Sequence, residues 1–168
     1  MKTLVIGLGN PILGDDGVGW RVAEEIARVT ADEPEVEVDC FSLGGLSLME
    51  RLTGCECAIL IDSIFTGAKP VGTLTLFTLN ELPNIAAGHT TAAHDTSLRN
   101  ALNVGRSMDI SLPRDEDVFI VAVEAENVYD FSETLSPPVE AAVPQAVHAV
   151  LELVHAWQGA VSQPGRHS

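Results

Sequence analysis

An apolar run, Leu4-Val5-Ile6, enters Gly7-Leu8-Gly9-Asn10 and then Gly14-Asp15-Asp16-Gly17-Val18-Gly19. A strand entering a glycine-rich turn and then a helix ordinarily offers backbone N–H groups and a positive helix end to an anion. Asp15 and Asp16 stand where a phosphate would sit and reverse that offer, which makes a cation, or a group carrying one, the better ligand. Further along, Asp62 ends the apolar run Cys57-Ala58-Ile59-Leu60-Ile61, Asp39 lies near the end of another β-type run, and His94 precedes a helical stretch. Carboxylate oxygens with one imidazole suit a divalent transition metal, and nickel lies high in the affinity order for such mixed donors. The chain has neither the paired histidines or thiolates of a structural zinc site nor an H-E-x-x-H helix, so the expected coordination is weak, open or transient.

Each of these residues has a plainer reading. Asp15 or Asp16 could cap the first helix and complement its dipole, but one cap needs only one of the pair. Asp62 could open a turn, Asp39 could order the Gly44-Gly45 loop, and His94 beside Asp95 could serve as a capping or surface residue. His89 is a reserve ligand near His94. His148 and His155 flank Glu152 on a solvated helix face, and His167 sits in the tail.

What raises the group above these readings is where the elements place it. Thr3 to Ile6 reads as a first strand, about Gly17 to Val29 as a helix with Val18, Val22, Ala23, Ile26 and Ala27 on one face, and Glu35 to Phe41 as a second strand. Gly45 to Leu52 reads as a short helix and Cys57 to Ile61 as a buried strand. Gly72 to Thr78 reads as an edge or antiparallel strand, Thr96 to Val104 as a helix on Leu98, Ala101 and Leu102, and Val118 to Val123 as another buried strand. A last helix follows Pro137-Pro138, with Val139, Val143, Val147, Val150, Leu151 and Val154 on its buried face and Pro144 disturbing its first turns. Strands alternating with helices predict an α/β three-layer sandwich with a mainly parallel central sheet flanked by helices. In such a sheet, ligands bind at the carboxyl ends of the strands, the rim where Asp16, Asp39, Asp62 and His94 would meet.

The 168 residues suit one domain, expected over 1–158, with a frayed tail over 159–168. A formal charge of −15, with nine scattered Lys and Arg residues, argues against nucleic acid and anionic membranes as partners. No leader-like apolar segment and no run long enough to span a bilayer are evident, and three cysteines with one C-x-C pair fit a reducing, cytoplasmic compartment.

The G-L-G-N with D-D-G-V-G at Asp15 to Gly19, the I-D-S at Ile61 to Ser63, the A-H-D-T-S-L at Ala93 to Leu98 and the closing stretch from Leu135 together resemble the hydrogenase maturation endopeptidases. The likeness runs to about Leu153. It implies an endopeptidase that removes the C-terminal extension of a [NiFe] hydrogenase large-subunit precursor after nickel insertion. It implies that Asp16, Asp62 and His94 contact the metal and carry the catalysis, with the nickel borne by the substrate. The family has Glu or Asp at position 16. After Asp39 it usually has Gly-Gly-Thr, where this chain has Cys40-Phe41-Ser42.

Two other readings start from the same residues. Gly7, Gly9 and Gly14 could form a dinucleotide turn with Asp39 on a ribose, although the spacing departs from the usual fingerprint and Asp15-Asp16 would repel a pyrophosphate. Alternatively, Cys40 could be a thiolate nucleophile with His94 as its partner, although acidic surroundings oppose its ionisation.

Overall fold

The computed structural model describes residues 2–42, 44–81 and 90–161, and the side chains of all of these except 90–97 and 161. The chain alternates β1 (Thr3–Leu8), α1 (Val18–Val29), β2 (Val36–Phe41), α2 (Leu46–Leu52), β3 (Cys57–Ile64), β4 (Leu74–Thr78), α3 (Thr90–Ser107), β5 (Val118–Glu124) and α4 (Pro137–Val161). The five strands form one sheet in the order β2-β1-β3-β5-β4. The β1–β2, β1–β3 and β3–β5 pairs are parallel, and β4 runs antiparallel to β5 at the edge.

Strand alternation sorts the core into two layers. Val5, Ile59, Ile61, Val121 and Val123 face one side, where Val18, Val22, Ala23 and Ile26 of α1 and Val139, Ala142, Ala146, Val150 and Val154 of α4 cover them. Leu4, Ile6, Leu8, Ala58, Leu60, Ile120 and Ala122 face the other, against Leu48 and Leu52 of α2 and Leu98, Ala101 and Leu102 of α3. Every residue of β1 and of β3 is buried, as befits central strands covered on both faces. The three-layer architecture is therefore the expected one.

Three element ends and one helix face differ most from the sequence reading. Strand β3 does not stop at Asp62, because Ser63 and Ile64 stay in the ladder opposite Val123 and Glu124. Helix α3 is longer, starting at Thr90. Helix α4 runs without a break past Pro144 and on through Gly159 to Val161, so residues 159–161 of the expected tail are helical; residues 162–168 lie outside the described ones. On α1, Ala27 faces solvent while Gly19 is buried. The reason is contact: a Cβ on Gly19 would lie 2.3 Å from the Leu8 carbonyl oxygen and 2.4 Å from that of Ile61, and one on Gly7 would lie 2.3 Å from the Gly19 oxygen. Two facing glycines thus let the start of α1 sit directly on β1 and β3.

Candidate active site

Strand β1 has its sequence successor β2 on one side and β3 on the other. The connections leaving β1 and β3 therefore diverge, and the crevice between their carboxyl ends is the switch point at which open α/β sheets bind ligands. Gly9, with φ of 118°, turns the chain off β1. A Cβ there would meet the Asp16 carbonyl oxygen at 2.0 Å, so this position requires glycine. A single 3-10 turn, Gly14–Gly17, then leads into α1.

That turn delivers Asp16 to the crevice. The Asn10 N–H donates to Asp16 Oδ2 at 2.8 Å and the Ser63 hydroxyl donates to Asp16 Oδ1 at 2.9 Å. With one donor on each oxygen, the carboxylate plane is fixed while lone pairs remain for a further contact. The Ser63 N–H donates in turn to Asp62 Oδ1 at 2.8 Å. Ser63 thus touches both carboxylates, and Asp62 and Ser63 are each 5 % exposed. Asp16, Asp62 and Ser63 open into a cleft of about 390 Å³ walled by Leu13, Phe65, Val128 and Tyr129. The structure brings Asp16 and Asp62 together as expected.

His94 lies in the first turns of α3, four residues before the buried Leu98; its side chain lies outside the described residues. His89 also lies outside them. Among the described residues, no group of three His, Cys, Asp or Glu side chains stands ready to hold a metal ion. The described part of the site is a carboxylate pair tied through one serine.

Asp15 does something the sequence reading did not anticipate. The N-cap position of helix α1 is Gly17, with no side-chain cap, so neither aspartate caps it. Asp15 is fully buried. It accepts the N–H groups of Glu126 and Asn127, each at 3.2 Å, and the N–H and hydroxyl of Ser136 at 2.7 and 2.8 Å. Its own N–H donates to the Asn127 carbonyl at 2.7 Å. Asp15 therefore clamps the β5–α4 loop, including the residue just ahead of α4, onto the turn that carries Asp16. The signal available in sequence was the second acid of the pair; its partners are too remote for spacing to reveal.

Asp39 is not in the cleft. It lies within β2, and Arg51 of α2 binds it at 2.5 Å and Glu37 at 3.0 Å. This occupies the acid that a dinucleotide reading needs for a ribose. Gly7 belongs to β1 itself and serves helix–strand packing, not the turn. Cys40 packs against the layer that holds α1 and α4. Burial, and then the charges of Glu24 and Asp39, push its thiol up to about 11, which opposes a nucleophilic role. His148 pairs with Glu152 and His155 with Glu33 on the exposed side of α4, as expected of a solvated face. Glu124, buried at the end of β5, binds the N–H and hydroxyl of Thr66 and so holds the segment just after β3.

Comparison with known proteins places this geometry. The family model for hydrogenase maturation protease matches residues 20–153. The hydrogenase expression/formation protein HoxM of Azotobacter vinelandii is 26 % identical over 151 residues, 90 % of this chain and 71 % of that protein. The corresponding protein HupD of Bradyrhizobium diazoefficiens is 24 % identical over 162 residues, 96 % of this chain and 82 % of its own length. Among solved structures, the hydrogenase maturating endopeptidase HybD from E. coli superposes with a TM-score of 0.74 at 22 % identity, covering 93 % of each chain. The hydrogenase 2 maturation peptidase of a Thaumarchaeota archaeon does so with a TM-score of 0.63 at 26 % identity, covering 92 % of this chain and 98 % of that one.

Proposed function

Because the chain belongs to the hydrogenase maturation protease family, and is an endopeptidase that processes a hydrogenase precursor, we propose that it removes the C-terminal extension of a [NiFe] hydrogenase large-subunit precursor once nickel is in place. The nickel is part of the substrate, and Asp16, Asp62 and His94 contact it. The observation that carries this reading is the carboxylate pair at the β1–β3 switch point, with Asp16 held on both oxygens and joined to Asp62 through Ser63.

The work of the protein is to orient. An ion presented by a folded precursor meets two carboxylates already fixed in direction, which keeps the cost of arranging them out of the binding step. Asp62 shares by register the sheet face of Ala58 and Leu60, the face that α3 covers with Leu98, Ala101 and Leu102. Held by Asp16, Asp62 and His94, the nickel would supply positive charge beside the scissile carbonyl, and one carboxylate of the pair takes a proton from the attacking water. A precursor without nickel lacks the group that docks the scissile bond and is passed over.

Action in the cytoplasm belongs to the same proposal. Cys40, Cys55 and Cys57 are all free thiols, as a reducing compartment keeps them, and no helix among the described residues is long and apolar enough to cross a membrane.

The test is incubation with large-subunit precursor, nickel-loaded and nickel-free, read by the mass of the released peptide. Release from the loaded form alone is expected, with Asp16→Asn, Asp62→Asn and His94→Ala each losing it. Normal trimming by all three variants would remove the trio from the mechanism.

A further inference from the structure

The aromatic rings exposed among the described residues lie at position 65 and over 129–131. Phe65, Tyr129 and Phe131 are 42 %, 68 % and 85 % exposed, and Ile12 is 45 % exposed. Phe65 and Tyr129 wall the cleft that Asp16 and Asp62 floor. Phe131 follows two residues later, beside Ser132, whose N–H donates to the Ile12 carbonyl at 2.9 Å and whose carbonyl accepts the Gly14 N–H at 2.8 Å. These rings are not presented by slack chain. The Asp15 carboxylate holds the loop at residues 126, 127 and 136, and the Ile12–Ser132 bond holds its middle.

Acids outnumber bases around the rings, with Arg21 sharing a second pocket with Ile12 and Glu133. The segments bordering the cleft, 9–17, 61–67 and 124–136, contain seven Asp and Glu residues and no Lys or Arg. Of those acids, Glu126, Asp130 and Glu133 are exposed beside the rings. A second copy of this chain would bring the same acids against them, and an anionic membrane would be repelled likewise. A fixed, exposed apolar patch among carboxylates suits a segment that combines apolar with cationic side chains.

We propose that Phe65, Tyr129 and Phe131 form a docking rim for such a segment of the hydrogenase precursor, starting at the cleft wall. The proposal rests on the precursor being the substrate. The rim holds the substrate beside the carboxylates before its nickel is engaged, so it sets KM while the carboxylate pair sets kcat. Because its backbone is already fastened, binding does not have to order it.

The experiment is steady-state cleavage of nickel-loaded precursor together with calorimetric titration of the same precursor. Phe131→Ala is expected to raise KM and weaken binding at least tenfold with kcat within about twofold, Phe131→Leu to recover most of the loss, and Asp130→Lys to weaken binding and flatten its salt dependence. Met108→Ala, which removes an exposed apolar side chain next to the end of α3, is expected to change nothing. Unchanged KM and affinity in Phe131→Ala would overturn the rim, as would a wild-type dimer at assay concentration that Phe131→Ala abolishes. If the wild type binds the precursor through Phe131 without cutting it, the cleavage reading fails and the rim stands; if it neither binds nor cuts, both fall.

Discussion

Replacing Asp15 tests whether a buried carboxylate holds the two halves of the site together. In Asp15→Asn, the amide oxygen can take the place of Oδ2 and keep the N–H groups of Glu126 and Asn127. The amide nitrogen then faces the Ser136 N–H that Oδ1 now accepts at 2.7 Å, donor against donor. One buried donor left without an acceptor costs about 1–3 kcal/mol. In Asp15→Ala all four donors lose their acceptor, each costing about 1–3 kcal/mol where water does not replace it, offset in part because the charge no longer has to be desolvated. Equilibrium urea denaturation at neutral pH measures both, with an unchanged m-value showing that the denatured state is comparable. A Ser136→Ala cycle with Asp15→Asn should show a coupling of about 0.5–3 kcal/mol. Because residues 126 and 127 lead into Val128 and Tyr129 of the cleft wall, KM for the precursor should rise in parallel. The reasoning is refuted if Asp15→Asn costs under about 0.5 kcal/mol, or if alanine is no worse than asparagine, since the hydrogen-bond count then decides nothing.

Ser63→Ala removes one bond to the Asp16 carboxylate, worth about 1.5 kcal/mol, and should lower kcat roughly tenfold with little change in melting temperature, Ser63→Thr restoring it. Gly19→Ala, whose Cβ would press on two backbone oxygens, should cost about 2–4 kcal/mol or prevent folding, as circular dichroism on heating would show. Asp39→Asn should leave cleavage unaltered and cost about 1 kcal/mol at most, because the acid serves a half-exposed pair with Arg51. Cys40→Ala should stay active, and alkylation of Cys40 should remain slow until the pH nears 11. Its raised thiol pKa means that the folded state holds that proton more tightly than the unfolded one, so this contribution is complete below about pH 9 and declines as the pH climbs to about 11.

The architecture was legible because β1, β3 and β5 each carry an unbroken apolar run, as a covered parallel sheet requires, and because α1 and α4 carry helical stripes that the strands do not. The edge position of β4 followed from its alternating threonines. Asp16 and Asp62 were legible for a topological reason: each stands beside the carboxyl end of a central strand, and those ends share a rim. Asp39 misled because the same reasoning cannot see Arg51, twelve residues on, reaching back from α2. Asp15 misled because a local reading offers a cap, whereas its partners lie more than a hundred residues away. The role of Ser63 was hidden by the expected end of β3 at Asp62; once the strand continues, alternation turns Ser63 toward α1 and hence toward Asp16.

The link between Asp15 and Ser136, 121 residues apart, also bears on when the enzyme becomes active. A chain made from its amino terminus has β1, both aspartates and β3 long before the β5–α4 loop exists. Until that loop arrives, Asp15 has none of its four donors and keeps its water, because an unpaired carboxylate does not go into an apolar interior. The turn that aims Asp16 is unfastened for the same interval. Asp15 can therefore be buried only after the β5–α4 loop has been made, so a chain cut short before Ser136 lacks the fastening of the turn that aims Asp16.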